Sequence, residues 1–403
     1  MLIWFLIGCY LNFNLFITER LFIPNFIAYF FASMLLMFHL NKLFIKRYFL
    51  FVISFFLVSV LSIIFSPKLV PGILKEQFLA FFQLILSVFS AMGVLFCLEH
   101  LGVRKVARIL FVFCFVLFLG SIFERFIPLF SDLSNWFRNT FYSFDIYASD
   151  NRDITMVGFI RPKVFSREPS FLSQFLVLFL VFWHTLSSFR YKTIVVLFLG
   201  LFSVFLTGSP KVILLFPVLI LINFSKLKRL LWKYQIISVP VFSMIIVFTI
   251  LVIFYFFNQR IDDVLEFKDQ SFNMRIFIPG LVLIFTLIRY PFFGVGLGAK
   301  ENSLKVFNET LSSYGYDWMI QKDFVPNFHS YFLEAVHFYG VLGLMLIIYV
   351  FNKYLLMDFS FKQRFVFWTT LILIGLMGGS VVGIRTWFTI VILYFSISNM
   401  KKI

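Results

Sequence analysis

The stretch FLAFFQLILSVFSAMGVLFCL (Phe78–Leu98) contains no charged side chain and only a few polar ones. An α-helix rises about 1.5 Å per residue, so this stretch is about 30 Å long as a helix. The hydrocarbon core of a bilayer is also about 30 Å thick. The stretch therefore predicts a transmembrane helix.

Apolar runs of this kind recur along the whole chain of 403 residues. Hydrophobic residues make up 61% of the sequence and charged residues 13%, whereas a soluble domain is about half apolar and about a quarter charged. We therefore predict an all-α polytopic membrane protein that forms a single integral membrane domain over residues 1–403. About twelve spans are predicted, at 2–17, 21–40, 48–65, 78–98, 107–128, 169–188, 193–207, 211–224, 236–257, 331–351, 365–380 and 386–399.

The net charge of +16 could suggest nucleic-acid binding, but its distribution indicates a membrane topology instead. Basic residues gather at alternate junctions between the spans, where the acids are Glu99 and Asp358. By the positive-inside rule this face is cytoplasmic, and both termini lie on it. We therefore expect membrane lipids and no nucleic acid as partners. The basic clusters are Lys42/Lys46/Arg47, Arg104/Lys105/Arg108, Arg190/Lys192, Lys226/Lys228/Arg229/Lys233, Lys353/Lys362/Arg364 and Lys401/Lys402.

Two long polar segments then fall on the opposite face, at about 129–168 and about 258–329. The second contains an apolar stretch, 276–288, that as a helix of about 20 Å is too short to cross a bilayer. Counting it as a span would also move the last basic clusters to the outer face. We therefore predict a re-entrant or interfacial helix there, within the second of two large outer loops.

The remaining compositional signals exclude several classes of site. The three cysteines (Cys9, Cys97 and Cys114) lie in or at the ends of apolar spans, so they predict packing roles rather than disulfides or a metal site. The carboxylates form no cluster typical of a magnesium or manganese site. We expect neither a metal nor another cofactor.

The segment RPKVFSREPS (Arg161–Ser170) places four charged side chains within ten residues, directly beside a predicted span. Pro169 is predicted to begin that span, because proline is favoured at the first helical position. Glu168 would then lie at the mouth of the helix, with Arg167 and Arg161 nearby. Glu168 alone could simply complement the helix dipole, but charges at a membrane edge usually mark a site.

The second polar segment contributes two further groups of candidate residues. Arg275 and Arg289 bracket the predicted re-entrant helix, and the glycine-rich PFFGVGLG that follows predicts a tight turn where backbone could approach a ligand. In VPNFHSYFLEAVHFYGVLGL, His329 lies at the outer mouth of a span, with Glu334 and His337 inside it. Glu334 and His337 could also be a buried polar pair that joins helices. Elsewhere, the turn LTGSPK places Lys211 on the outer face.

At these residues the chain resembles the O-antigen polymerase and ligase (Wzy/WaaL) superfamily of membrane glycosyltransferases. Four pieces occur in the family's order: RPKVFSREPS, TGSPK, the Arg275-led segment that ends in PFFGVGLG, and HSYFLEAVHFYGVLG. The resemblance covers nearly the whole chain and implies a GT-C-like fold. REPS resembles the polymerases more than the ligases.

The resemblance implies an undecaprenyl-diphosphate-linked oligosaccharide as the donor, handled at the periplasmic face of the inner membrane. By motif, Arg161 and Arg275 are the diphosphate-binding candidates, with Arg167, Lys211 and Arg289 as further ones. His329 is the candidate acid or base, with Glu168 as a second. A chain-length regulator is a further implied partner.

Two alternatives remain beside a polymerase. An O-antigen ligase would use the same donor and lipid A–core as the acceptor. A lipid-linked oligosaccharide flippase would be a transporter, but transporters usually place ionisable residues near the midplane and contain internal repeats. The charges here gather at the outer mouth and no repeat is visible, which favours an enzyme.

Overall fold

The computed structural model describes residues 1–16, 22–142, 153–154, 158–222, 273, 277–315, 328, 330–376 and 378–400. The predicted span 236–257, Arg275 and His329 lie outside them. Among the described residues, the regular elements are helices apart from one antiparallel pair of two-residue strands. Their elements are α1 Leu2–Leu11, β1 Leu15–Phe16, β2 Phe22–Ile23, α2 Phe26–Phe38, α3 Leu40–Leu43, α4 Lys46–Ile64, α5 Ile73–Phe126, α6 Pro128–Phe141, α7 Pro169–Leu186, α8 Lys192–Thr207, a 3-10 helix Pro210–Leu214, α9 Ile278–Arg289, α10 Lys300–Ser313, α11 Tyr331–Val350, a π-helical turn Phe351–Leu355, α12 Phe361–Gly375 and α13 Ile384–Ser398.

Four of the described helical segments are long and apolar enough to cross a membrane: Lys46–Ile64, Ile73–Phe126, Pro169–Leu186 and Tyr331–Leu355. Several shorter apolar helices accompany them, including α1, α2, α8, α9 and α13. An all-α membrane protein is therefore confirmed, whereas the number of twelve spans stays a prediction.

The first predicted span is a shorter helix than the sequence indicated. We predicted residues 2–17, but α1 ends at Leu11 and the chain continues into β1. The break falls at Asn12, whose φ of 58° is left-handed. Asparagine tolerates that conformation better than most residues, so it can end a helix that hydrophobicity alone would extend.

Helix α5 contains the predicted span 78–98 and all but the last two residues of the predicted span 107–128. Gly102, with φ 75°, interrupts it between them. The chain divides at the same place into two compact units: unit 1 comprises 1–9, 25–101 and 270–398, and unit 2 comprises 10–24, 102–269 and 399–403.

Unit 1 is built around α11, which packs against α4, α9 and α12. Aromatic rings fill its core, as in the edge-to-face pairs that Phe55 makes with Trp387 and with Phe351. Such pairs add about 0.5–1.5 kcal/mol each beyond the area that they bury.

Unit 2 is built around α7, of which nearly every residue is buried. A helix that is apolar on all sides is typical of the centre of a bundle. Helix α7 packs against α8 and the 3-10 helix Pro210–Leu214. The segment Arg161–Ser170 leads directly into its first turn, and we call this segment the entry loop.

Candidate functional site

The entry loop holds one arginine in a fixed orientation. Arg161 donates from Nε to Asp153 Oδ1 over 2.7 Å, and its Nη2 lies 2.6 Å from the same oxygen. The Asp153 side chain is only 1% exposed and that of Arg161 only 12%. A buried carboxylate that fixes a guanidinium in this way preorganises its positive charge.

The middle of the entry loop wraps around the carboxylate of Glu124, near the end of α5. The backbone amide of Lys163 donates to Glu124 Oε2 over 3.0 Å, and the amide of Val164 donates to the same oxygen. Val164 and Phe165 both have left-handed backbone angles, with φ of 46° and 64°. Successive amides in such a conformation form a concavity that suits an anion, and here the protein's own carboxylate fills it.

This backbone conformation is costly and is held by several buried groups. A left-handed non-glycine residue costs about 1–3 kcal/mol and persists only where its surroundings determine it. Besides Glu124, the Tyr10 hydroxyl donates to the carbonyls of Lys163 and Val164, over 3.0 and 2.9 Å. The Phe165 amide donates to the Ser134 hydroxyl over 3.1 Å.

Lys163 is a buried cation within this arrangement. Its side chain is 1% exposed, and its charge acts favourably on the Glu124 carboxylate. Burying a charge is costly unless it is paired. The Glu124 charge offsets part of this cost, and the hydrogen bond from the Lys163 amide to Glu124 gives Lys163 a structural reason for its place in the entry loop.

The end of the entry loop has the geometry that the sequence predicted. Pro169 opens α7, and Glu168 precedes it in an extended conformation. The Glu168 carboxylate does not cap the helix backbone; it accepts a hydrogen bond from the Ser170 hydroxyl over 2.8 Å. Arg167 is half-buried, and this burial lowers the pKa of its guanidinium from the usual value, which the neighbouring Glu168 partly offsets. Arginine keeps its charge at neutral pH even so.

Lys211 lies in the predicted turn. Gly208 ends α8 with a left-handed φ of 55°, Ser209 is extended, and Pro210 and Lys211 begin the 3-10 helix that packs against α7. Arg161, Arg167, Glu168 and Lys211 thus all belong to unit 2.

Among the other candidates that the structure describes, Arg289, Glu334 and His337 belong to unit 1, where Arg289 ends α9. Its guanidinium forms an ion pair with Glu309 of α10, and its side chain remains 50% exposed. This pair gives Arg289 a structural partner in addition to its predicted role.

Glu334 and His337 do not pair with each other; each joins α11 to another segment. The His337 ring bridges Thr286 of α9 and Ser303 of α10, with Nδ1 and Nε2 at 2.9 and 3.0 Å from the two hydroxyls. Glu334 accepts from the Ser380 hydroxyl over 3.0 Å and from the Val381 amide. The predicted Glu334–His337 pair is therefore not formed: His337 joins α11 to α9 and α10, and Glu334 joins it to the segment before α13.

The glycine-rich turn is explained by helix packing. The Val295 amide donates to the His337 carbonyl over 3.0 Å and the Gly296 amide to the Phe338 carbonyl over 3.2 Å. Gly294 has φ 61°, and a Cβ there would overlap the His337 carbonyl oxygen. The backbone approach that we predicted for a ligand is thus occupied by α11, at the point where Gly340 interrupts that helix.

Sequence reasoning missed Glu124 and Asp153. Glu124 carried a readable signal, because an acid at the end of an otherwise apolar span rarely lacks a role. Asp153 carried none, since it is one of several acids in a polar segment. Within the described residues, no group of three or more histidine, cysteine, aspartate or glutamate side chains is placed to hold a metal ion.

Comparison with known proteins gives one family. Residues 195–348 match the family model described as O-antigen ligase. No curated protein matches the chain. The matched range runs from α8 through the glycine-rich turn into α11, and so contains three of the four motifs quoted above. The match confirms the resemblance to the O-antigen polymerase and ligase superfamily over the part of the chain that it covers.

Proposed function

We propose that this protein is a polysaccharide polymerase of the inner membrane, which transfers a growing undecaprenyl-diphosphate-linked glycan onto another lipid-linked repeat unit. The family match implies a membrane glycosyltransferase of the O-antigen polymerase or ligase type. The observation that best supports a site in the entry loop is the pairing of Arg161 with the buried Asp153.

Glycosyl transfer from a diphosphate donor requires a positive charge that is fixed in position. The donor's glycosyl–diphosphate bond is already activated, so the reaction needs no nucleotide at the outer face. When the bond between the anomeric carbon and the diphosphate oxygen breaks, negative charge grows on the departing diphosphate. Guanidinium groups bind phosphate oxygens bidentately, and donors fixed in advance lower the barrier without reorganising during the reaction.

In this mechanism Arg161 binds the leaving diphosphate, and Arg167 and Lys211 add positive charge from the same unit. The family resemblance adds Arg275 and Arg289 as further candidates for binding the diphosphate. The acceptor hydroxyl oxygen attacks the anomeric carbon from the face opposite the diphosphate. Its proton passes to a general base, His329 or Glu168, and undecaprenyl diphosphate leaves.

A single displacement inverts the anomeric configuration. It needs only one general base and one set of residues that binds the leaving diphosphate. We propose that no metal is required, because the arginines supply the charge that a metal would otherwise provide. Comparing the product's new linkage with the donor's linkage by NMR tests the first point, since a retained configuration would reject a single displacement.

The second candidate function is an O-antigen ligase, because the matching family model is described by that activity. Purified protein incubated with lipid-linked repeat units separates the two. A ladder of longer lipid-linked chains supports the polymerase, whereas transfer only when lipid A–core is added supports the ligase. An absence of transfer under both conditions would reject both enzymes and favour a transporter.

A further inference from the structure

Helix α6 has three distinct faces. The face towards the entry loop contains Phe130, Ser134 and Phe137; both rings contact Phe165, with centroids 5.5 and 5.2 Å away, and Ser134 accepts from the Phe165 amide. A second face is polar and contains Asp132, Asn135 and Asn139.

The third face is apolar and exposed. Leu129, Leu133 and Trp136 are 80%, 49% and 60% exposed. Their spacing of four and three residues aligns them along one side of the helix. Large apolar side chains aligned in this way on a helix with a separate polar face are typical of a helix that lies on a membrane surface.

The position of α6 in the chain identifies what covers this face. Helix α5, which is long and apolar enough to cross a membrane, ends at Phe126, and α6 begins two residues later. Ile127 is extended and Pro128 starts the new helix, so the two helices do not continue as one. Phe123, Phe126 and Ile127 are themselves 42%, 66% and 44% exposed, so exposed apolar side chains continue from the end of α5 onto α6.

Length and composition exclude a transmembrane position for α6. Fourteen residues of helix extend about 21 Å, which is too short for a bilayer of about 30 Å. Trp136 fits the boundary between hydrocarbon and headgroups, where tryptophan is enriched.

We infer that α6 lies in the membrane interface, with Leu129, Leu133 and Trp136 inserted among the lipid acyl chains and Asp132, Asn135 and Asn139 facing water. The occupant of the apolar face is the bilayer itself. Because the inner face of α6 holds Phe165, the interfacial helix fixes the entry loop at the depth of the lipid headgroups. This inference does not depend on the reaction that the protein performs.

The test compares adjacent residues on different faces of α6. The full-length protein is placed in phospholipid nanodiscs as the variants Leu133→Cys and Asp132→Cys, each labelled with an environment-sensitive fluorophore. The native cysteines are buried, and labelling of the unsubstituted protein measures their background. We expect nitroxide-bearing lipids to quench the probe at 133 several-fold more than the probe at 132, and aqueous iodide to do the reverse.

The other outcomes contradict the inference. Equal quenching of both probes by iodide would place the apolar face in water. A probe at 133 that neither quencher reaches would show that protein covers this face. Equal quenching of both probes by the lipids would contradict the proposed orientation of α6, in which residue 132 faces water. The pair Trp136→Cys and Asn139→Cys repeats the comparison one turn later, in case a label at 133 disturbs folding.

Discussion

Glu124 offers the sharpest test of how the entry loop is held, because two backbone amides converge on one of its oxygens. Replacing it with alanine removes that acceptor and leaves the amides of Lys163 and Val164 buried. A hydrogen bond to a charged group contributes about 1.5–3 kcal/mol, so Glu124→Ala should destabilise the loop conformation by about 3–6 kcal/mol.

That loss is comparable to the strain that the loop stores. The left-handed conformations of Val164 and Phe165 cost about 1–3 kcal/mol each. Without the acceptor, the backbone should therefore relax to an extended conformation. A loss of about 3 kcal/mol shifts the equilibrium from the native loop towards relaxed conformations by a factor of roughly 100, so we expect transfer activity to fall by up to about 100-fold.

Two variants calibrate the result. Glu124→Gln keeps an acceptor oxygen without the charge, and neutral hydrogen bonds contribute about 0.5–1.5 kcal/mol each, so its loss should be smaller. Ser121→Ala removes a buried hydroxyl on the same helix that donates to the Leu117 carbonyl, and it should leave the loop and the activity unchanged.

Hydrogen exchange measures directly how well the amides of the entry loop are protected. In Glu124→Ala the amides of Lys163 and Val164 should lose their protection, whereas in Ser121→Ala they should keep it. The reasoning is refuted if Glu124→Ala keeps both amides protected, because Glu124 would then not hold the loop. If protection is lost but transfer continues at the normal rate, the loop would be unnecessary for the reaction.

Two further predictions concern unit 1. Gly340→Ala should lower the thermal stability of the detergent-solubilised protein, because the added Cβ would lie 2.5 Å from the Gly294 amide nitrogen at a residue with φ 62°. The control Gly280→Ala adds a carbon with no atom within 4 Å and should stabilise α9 by up to about 1 kcal/mol. An equal effect of the two substitutions on the melting temperature would contradict the packing explanation. Arg289→Ala should cost about 0–1 kcal/mol of stability, since the side chain is 50% exposed and paired with Glu309. A many-fold loss of donor binding with a normal melting temperature would show that Arg289 binds substrate. A large loss of stability would contradict the magnitude expected for a surface ion pair.

Much of the helical arrangement could be predicted from hydrophobicity alone. The start of α7 at Pro169 and the turn before Lys211 followed from proline and glycine chemistry. The early end of α1 was missed, because it depends on the backbone conformation of Asn12 rather than on hydrophobicity. The amphipathic pattern of α6 is present in the sequence, but most of it lies within the segment 129–168, which we predict to be a polar loop.

The contacts of the candidate residues were less predictable, because they depend on residues far apart in the chain. Nothing local in RPKVFSREPS shows that Glu124 lies within its turn, or that Val164 and Phe165 adopt left-handed angles around it. The glycines of PFFGVGLG predict a turn, which the structure confirms. Their packing partner, the interrupted helix α11, could not be predicted from the spacing of the glycines. Glu334 and His337 share a helix and yet contact different neighbours, which depends on how α11 packs against α9, α10 and the segment before α13.

Binding of the donor tests the central claim most directly. The affinity of the purified protein in nanodiscs for an undecaprenyl-diphosphate-linked repeat unit would be measured for the natural chain, Arg161→Ala and Arg190→Ala. Arg190 is an exposed arginine in the turn that follows the opposite end of α7, and it serves as the control. Losing charged hydrogen bonds of about 1.5–3 kcal/mol should weaken binding by Arg161→Ala roughly 10- to 150-fold and leave Arg190→Ala unchanged. Equal affinity of all three proteins would contradict the assignment of the entry loop as the diphosphate-binding site.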